Sequence, residues 1–354
     1  MNKLEKLVYD AVKSNPNIKI KLRNTYQSFF DLLPNNYIKI GEARTWNYHK
    51  GCRLQWAGPD AIIYNDVEGE VLISQIYDVN TKTTKSLPFP IDAVSVCGKF
   101  ATSFSYGRLE KLMPGYGYPY DDQAFNEVKI PDETGLFIGN LEDSTKELVV
   151  SLKELNDLRG LSEDSVGSHH FVTHSLFSPD GRYVSFLDRR TYEHDFMKRW
   201  SRLVVYDRET KKCHIAPTND MVSHYVWNEK NQIIAYCRVG DIDSHVLFEE
   251  PTLQKYKQIA YPQLNSDGHQ SFITNESFVT DTYPDKYRMA NLYKVDTITN
   301  EAELIARLNS FKSFQSKPYQ HWCCDLHPRM NRKGDVVCFD SVHTGKRALC
   351  IMKI

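Results

Sequence analysis

A recurring four-strand unit constrains this chain more than any other feature. Ser175-Leu-Phe-Ser-Pro-Asp-Gly-Arg-Tyr-Val-Ser-Phe-Leu-Asp188 reads as a strand, a Pro-Asp-Gly turn and a second strand. Arg202–Asp207 and Lys212–Ala216 follow as a third and a fourth strand. The unit returns over Tyr225–Tyr236, Gln270–Asp281 and Arg329–Asp340, and upstream over Arg53–Asp66 and, in degraded form, Ala93–Ser103. Modules therefore begin near residues 49, 91, 171, 221, 266 and 324. His174, His224, His269 and His327 open the innermost strands of successive modules, at spacings of 50, 45 and 58 residues. Such lengths suit propeller blades of four short strands each. The expectation is an all-β chain folded as one β-propeller over 1–354.

A blade buries its faces only against neighbours, so the ring must close. The sequence ends after the third strand of the last module, and Tyr37–Gly41 is expected to supply the missing strand. The count is six blades, with room for strands of a seventh in Leu109–Asp132, which otherwise reads as a long loop because of Pro114-Gly-Tyr-Gly-Tyr-Pro-Tyr120. Residues 1–15 carry Leu4, Leu7, Val8 and Ala11 at helical spacing and read as a short amphipathic helix rather than an export signal.

Composition narrows the function classes. With 44 Lys+Arg against 45 Asp+Glu and no block of five like charges, a surface that tracks phosphates is not expected, so nucleic acid is excluded as a partner. No window approaches the ~18 apolar residues of a spanning helix, so no membrane partner is expected. The eight cysteines lie partly in apolar runs such as Val336-Val337-Cys338-Phe339 and read as buried thiols of a reduced, cytoplasmic protein. The 12% aromatic content favours strands and sugar-stacking surfaces alike. There is no Gly-x-Gly-x-x-Gly, phosphate loop, His-Glu-x-x-His or Gly-x-Ser-x-Gly motif, so no nucleotide cofactor or serine nucleophile of the usual kinds is expected.

Equivalent positions of a propeller meet around one axis, so four of the twelve histidines converge if the repeat closes. A ring of imidazoles suits a divalent metal or acid–base work, whereas the plain alternative is that each one bonds a neighbouring blade's backbone. Near the last of them stands Gln320-His-Trp-Cys-Cys-Asp-Leu-His327, in which Asp325 and His327 share a face if extended. Cys323 and Cys324 would point to opposite faces, which disfavours a structural zinc. Arg189 and Arg190 after a second strand, and Arg108 in the long segment, are candidate carboxylate clamps, although strand-end arginines are more often solvated. Tyr116, Tyr118 and Tyr120 with Trp46 and Trp322 are candidates for stacking on sugar, against the commoner role of packing blades together.

The Ser-Pro-Asp-Gly-Arg-Tyr-Val-Ser-Phe repeat, with His224, Gly268-His269 and His327-Pro328 opening later modules, resembles the intracellular oligogalacturonate lyases and, more loosely, the TolB-type propellers. The resemblance covers Ser168–Ile354. It implies a manganese ion at the propeller mouth, with His269 and His327 as ligands and His224 handling the proton. The family's further ligand histidine falls at Asp325 and its glutamine at Trp322, so Asp325, Gln320 and His321 are the substitutes available in this chain. The implied activity is a carbon–oxygen lyase of carbohydrate metabolism acting on an acidic, uronate-containing oligosaccharide by metal-assisted β-elimination. In that reading His224, His174 and Arg189 form the catalytic set, and Arg108, Arg190, Tyr116, Tyr118 and Trp322 bind substrate. The alternatives are a non-catalytic propeller that binds a glycan or protein partner, and a hydrolase or epimerase on a related glycan.

Overall fold

A computed structural model of the chain describes residues 18–23, 37–120, 127–158, 165–315 and 323–354. The proposed helix over 1–15 lies outside the described residues, as do Gln320, His321 and Trp322. The described structure is almost all β. Its contacts fall into two compact units, Met1–Ser151 and Leu152–Ile354.

In the first unit, Ile18–Arg23 pairs antiparallel with Tyr37–Ala43 in a two-stranded sheet. The strand anticipated at Tyr37–Gly41 therefore forms, and its partner among the described residues is this neighbour in sequence. A four-stranded meander follows, through Gln55–Trp56, Ala61–Glu68, Val71–Asp78 and Thr84–Leu87. A three-stranded sheet completes the unit with Phe100–Ser103, Gly135–Asn140 and Thr145–Ser151. Ile63, Leu87, Phe89, Ile91, Ala101 and Leu141 form the core shared by these two sheets. Part of the segment expected to be loop is helical. Tyr106–Leu112 forms a helix because the Ser105 hydroxyl accepts the Arg108 N–H at its start, while Leu109 and Leu112 turn inward.

The second unit opens with the helix Leu152–Leu158 and contains four further antiparallel sheets. Counting from the four-stranded sheet of the first unit, the third sheet is His169–Phe177, Tyr183–Tyr192, Asp195–Asp207 and Lys212–Ile215. The fourth is Val222–Trp227, Ile233–Val239, Ile242–Phe248 and Tyr256–Ile259. The fifth is Gln270–Thr274, Ser277–Asp281, Met289–Asp296 and Glu301–Asn309. The sixth has three strands, Arg329–Met330, Val336–Ser341 and Ala348–Lys353.

Strand alternation explains why these four sheets stack. Successive side chains of a strand point to opposite faces. Ile233, Ala235 and Cys237 join Leu187, Leu203, Val205 and Trp227 in the core between the third and fourth sheets. Their neighbour Ile234 points the other way, into the core with Leu247, Phe278 and Val295 between the fourth and fifth. Val279 then turns from Phe278 into a third core with Leu292, Val337 and Phe339, between the fifth and sixth. Each fully buried side chain of this size contributes ~1.5–3 kcal/mol. A sheet with two apolar faces cannot stand alone, which is the physical content of the repeat.

The turns are built as their residues require. In the third sheet Gly181 takes φ 72, the Ser178 hydroxyl donates to Asp180 at 2.6 Å, and Asp180 accepts the Arg182 N–H. Asn228 replaces the serine in the fourth sheet and accepts the N–H groups of Lys230 and Gln232. Asn331 does the same for Asp335 and Val336 in the sixth. All eight cysteines are free thiols. Cys97, expected to be buried with the rest, is exposed at a turn, with its sulfur 3.3 Å from the Ser95 hydroxyl. Among the described residues no helix is long and apolar enough to cross a membrane.

Candidate functional site

Three of the four register histidines meet in the second unit. The His224 and His269 rings lie 4.1 Å apart between centroids, and His269 stacks on His327 at 3.9 Å with an interplanar angle of 21°. They do not occupy the first position of regular strands, as expected from the sequence. His224 falls where the pairing of Val222–Trp227 with the next strand slips its register, His269 precedes its strand, and His327 sits at φ 46 in an irregular stretch before Arg329. Bulges and left-handed residues of this kind re-aim a side chain that a regular strand would bury between sheets. His174 occupies the equivalent break of the third sheet, at φ 55, where the Tyr225 hydroxyl donates to its carbonyl oxygen and its Nδ1 lies 2.9 Å from the Thr173 hydroxyl.

Two carboxylates that the sequence reading missed organise the cluster. Asp267 has Oδ1 3.1 Å from His224 Nδ1, and Oδ2 accepts the Ser223 hydroxyl at 2.6 Å. Asp281, buried on the strand Ser277–Asp281, accepts the His269 backbone N–H at 2.6 Å and the His327 N–H at 2.8 Å. The same carboxylate lies 3.0 and 3.1 Å from His269 Nδ1. One buried charge thus clips the fifth sheet to the sixth and orients the central imidazole. The fold brings these acids close to histidines 43 and 12 residues away. Only the local Asp267-Gly-His269 grouping hinted at them in the sequence.

The environments push the three imidazoles apart in charge. Burial, and then the neighbouring His269, hold His224 below the usual histidine range against the pull of Asp267. Burial also opposes protonation of His269, but the Asp281 carboxylate outweighs it and raises His269, with Asp325 adding to the effect. His327 is pushed down to about 3 by burial and by His269. Asp281 falls well below the usual carboxylate range: burial works the other way, and the hydrogen bonds and charge of His269 overcome it. The surroundings therefore favour the charged form at His269 and the neutral form at His224 and His327 on either side of it. With Nδ1–H of His224 donated to Asp267, its Nε2 lone pair is the basic position.

The remaining predicted residues are dispersed. Asp325 lies with His327 in the irregular stretch rather than on a strand, and accepts the Cys323 thiol at 3.0 Å. Arg190 is buried, with its guanidinium on His170, on Asn156 at 2.6 Å and on Ser165. Arg189 is also buried, 3.5 Å from the Val222 carbonyl. Both lie on the third sheet's second strand, not at a solvated strand end, because Tyr183–Tyr192 continues past them. Arg108, in the first unit, donates to the carbonyls of Val128 and Lys129 at 2.9 Å each, and so anchors the long insertion. Tyr118 is a core residue: fully buried, it stacks on Tyr106 at 4.6 Å and donates to the Gly51 carbonyl, which leaves no face for a sugar. Tyr116 stacks on His49 at 4.0 Å, while Tyr120 and Trp46 are half-buried.

Two nitrogen atoms of the cluster are of the type that ligates divalent ions. A carboxylate on Nδ1 is the usual support of a metal-bound histidine, and it leaves Nε2 of His224 and of His269 as donors of the right chemistry. Among the described residues, no group of three or more His, Cys, Asp or Glu side chains is arranged to hold a metal. The cluster therefore fits a cation by donor type and does not define a coordination shell.

No protein-family model matches the chain, and no curated protein sequence matches it. Solved structures do. The β-propeller domain of the Trilobed protease from Pyrococcus furiosus aligns with a TM-score of 0.50 at 11% identity, covering 85% of this chain and 80% of that one. TolB from Acinetobacter baumannii aligns at 0.45 and 15% identity over 85% of this chain, which spans 63% of the TolB chain. Oligogalacturonate lyase in complex with manganese aligns at 0.48 and 11% identity, covering 83% and 86%. At these identities the likeness concerns the fold alone. The sheets and the alignment together place the chain among proteins of the β-propeller class.

Proposed function

We propose that the protein is a carbon–oxygen lyase that cleaves an acidic, uronate-containing oligosaccharide by β-elimination. The observation that carries this reading is the contiguous His224–His269–His327 cluster with Asp267 and Asp281 behind its first two rings. β-Elimination needs a base for the proton next to the sugar carboxylate and positive charge to stabilise the enolate-like state that results. Neutral His224 supplies the base at Nε2, and Asp267 stabilises the imidazolium it becomes. His269, whose charged form the Asp281 carboxylate favours, faces the developing negative charge. Tyr283, whose ring lies 5.9 Å from that of His269, stands at the same place to hydrogen-bond the sugar.

A divalent cation, with manganese first among candidates, belongs to this proposal, with His269 and His327 as the side chains that would hold it; when bound it would take the place of the His269 proton and supply Lewis-acid charge to the uronate carboxylate. The proposal takes the six larger sheets as blades of one ring and Tyr37–Gly41 as the closing segment, and it places the protein in the cytoplasm.

Incubation with uronate oligomers tests the reading, with ultraviolet detection of the unsaturated product. Elimination generates a conjugated C4–C5 double bond and absorbance that hydrolysis or epimerisation does not. Reducing ends released without absorbance would replace the lyase by a hydrolase. Binding without turnover would leave a glycan-binding propeller.

A further inference from the structure

A cleft of about 250 Å³ adjoins the imidazole cluster, lined among others by Tyr283, Arg288, Phe314, Cys323 and Asp325. Tyr283 belongs to both places, since its ring lies 5.9 Å from His269 and 6.4 Å from His224. Among the described residues that line the cleft Arg288 is the cation, and its side chain is held in advance. Nε donates to the Ser310 carbonyl at 2.8 Å, Nη2 lies 3.2 Å from the Ser310 hydroxyl, and the Ser310 N–H returns to the Arg288 carbonyl at 2.8 Å. Nη1 is not engaged among the described residues. The residue itself is in the left-handed region at φ 64, a conformation that an arginine adopts only where its surroundings impose it. Here the turn imposes it, because Asp285 accepts the N–H groups of Tyr287 and Met289.

Other charges around the cleft leave this guanidinium available. Asp285 is 3.6 Å from Arg307 and occupied with the turn, while Asp325 accepts the Cys323 thiol. A guanidinium fixed by two bonds to one serine loses little freedom on gripping a ligand, and its planar donors match a carboxylate. The volume falls just below the ~300–1,000 Å³ of ligand pockets, which limits it to one sugar unit. Phe314 and Tyr283 line the same cleft and are aromatic rings of the kind that pack on sugars.

We infer that Arg288 and this cleft form a subsite for the carboxylate of a second uronate unit, adjacent to the unit whose proton is removed at the imidazole cluster. The inference rests on the uronate reading of that cluster and adds that the substrate spans at least two acidic sugars. Calorimetry with trigalacturonate and with its fully methyl-esterified form tests it on the wild type, Arg288→Gln and Arg288→Lys. Glutamine retains a donor for the Ser310 carbonyl but not the charge, so a folded variant is expected, and lysine restores the charge alone. The expected result is at least tenfold tighter wild-type binding of the free acid than of the ester, a preference reduced several-fold in Arg288→Gln to the share that the imidazole cluster supplies, and partial recovery in Arg288→Lys. Equal preference in wild type and Arg288→Gln overturns the subsite, as does a wild type indifferent to esterification or one that binds neither ligand. Arg288-dependent binding of the acid without formation of the unsaturated product would overturn the elimination reading and leave the subsite standing.

Discussion

Replacing Asp281 with Ala or Asn is the sharpest perturbation of this molecule. The carboxylate is buried and accepts two backbone N–H groups from different sheets as well as the His269 imidazole. Removing one partner of a buried, hydrogen-bonded charge pair costs about 3–5 kcal/mol, because the other partner stays buried and uncompensated. In Asp281→Ala, His269 would lose its carboxylate, and the N–H groups of His269 and His327 would lose their acceptor. Asparagine offers one oxygen to the three donors and turns its NH2 toward another. At roughly 2–4 °C per kcal/mol for a unit of this size, Asp281→Ala should melt about 6–20 °C below the wild type.

The pH dependence is also set. His269 is raised in the folded state, so its share of stability is complete below the unfolded value of ~6.5 and is lost as pH rises through the folded value. Asp281 is lowered, so its share is present above the unfolded value of ~3.9 and is lost as pH falls toward the folded value. The difference between wild type and Asp281→Asn should therefore be greatest between about pH 4 and 6.5 and shrink on either side. Urea unfolding of both proteins at intervals across pH 3.5–9 measures it. A variant that matches the wild type in midpoint, or a difference that grows steadily above pH 7, would refute the assignment of an Asp281–His269 ion pair.

Other outcomes follow from the same contacts. His224→Ala should lower kcat about 10²–10⁴-fold if His224 is the base. Asp267→Asn removes the partner that raises His224, so the acidic limb of the pH–rate profile should move to lower pH; an unmoved limb would count against His224. Arg202→Ala breaks the fully buried pair in which Arg202 Nε lies 3.0 Å from Asp188, and should cost about 3–5 kcal/mol by urea unfolding with the cluster's chemistry otherwise intact. Chelation followed by titration with manganese, read as metal content and activity together, should abolish and restore turnover; activity that survives complete removal of metal would eliminate the cation from the proposal. Thiol labelling of the native protein should modify Cys97 first, since Cys52, Cys237 and Cys324 are buried.

The chain's order in sequence was sufficient for its meanders, and the reason is local. Strand alternation and the Ser-Pro-Asp-Gly or Asn-centred turns act over fewer than ten residues, so Ser175–Asp188 and Gln270–Asp281 read directly as paired strands. The register of His224, His269 and His327 was legible for the same reason, because a repeat copies position as well as pattern. What those histidines are was decided only in three dimensions. Asp281 becomes the partner of His269 through hydrogen bonds that also reach His327 in the next sheet, and charge states follow from burial, which no spacing specifies. Arg190 and Arg108 looked like surface clamps because polarity in sequence does not distinguish a solvated guanidinium from one satisfied internally by Asn156 or by backbone carbonyls. Tyr118 was likewise indistinguishable from an exposed aromatic until its hydroxyl met the Gly51 carbonyl. Arg288 carried no signal at all: its place beside the cluster depends on a left-handed turn and on Ser310, a partner 22 residues away.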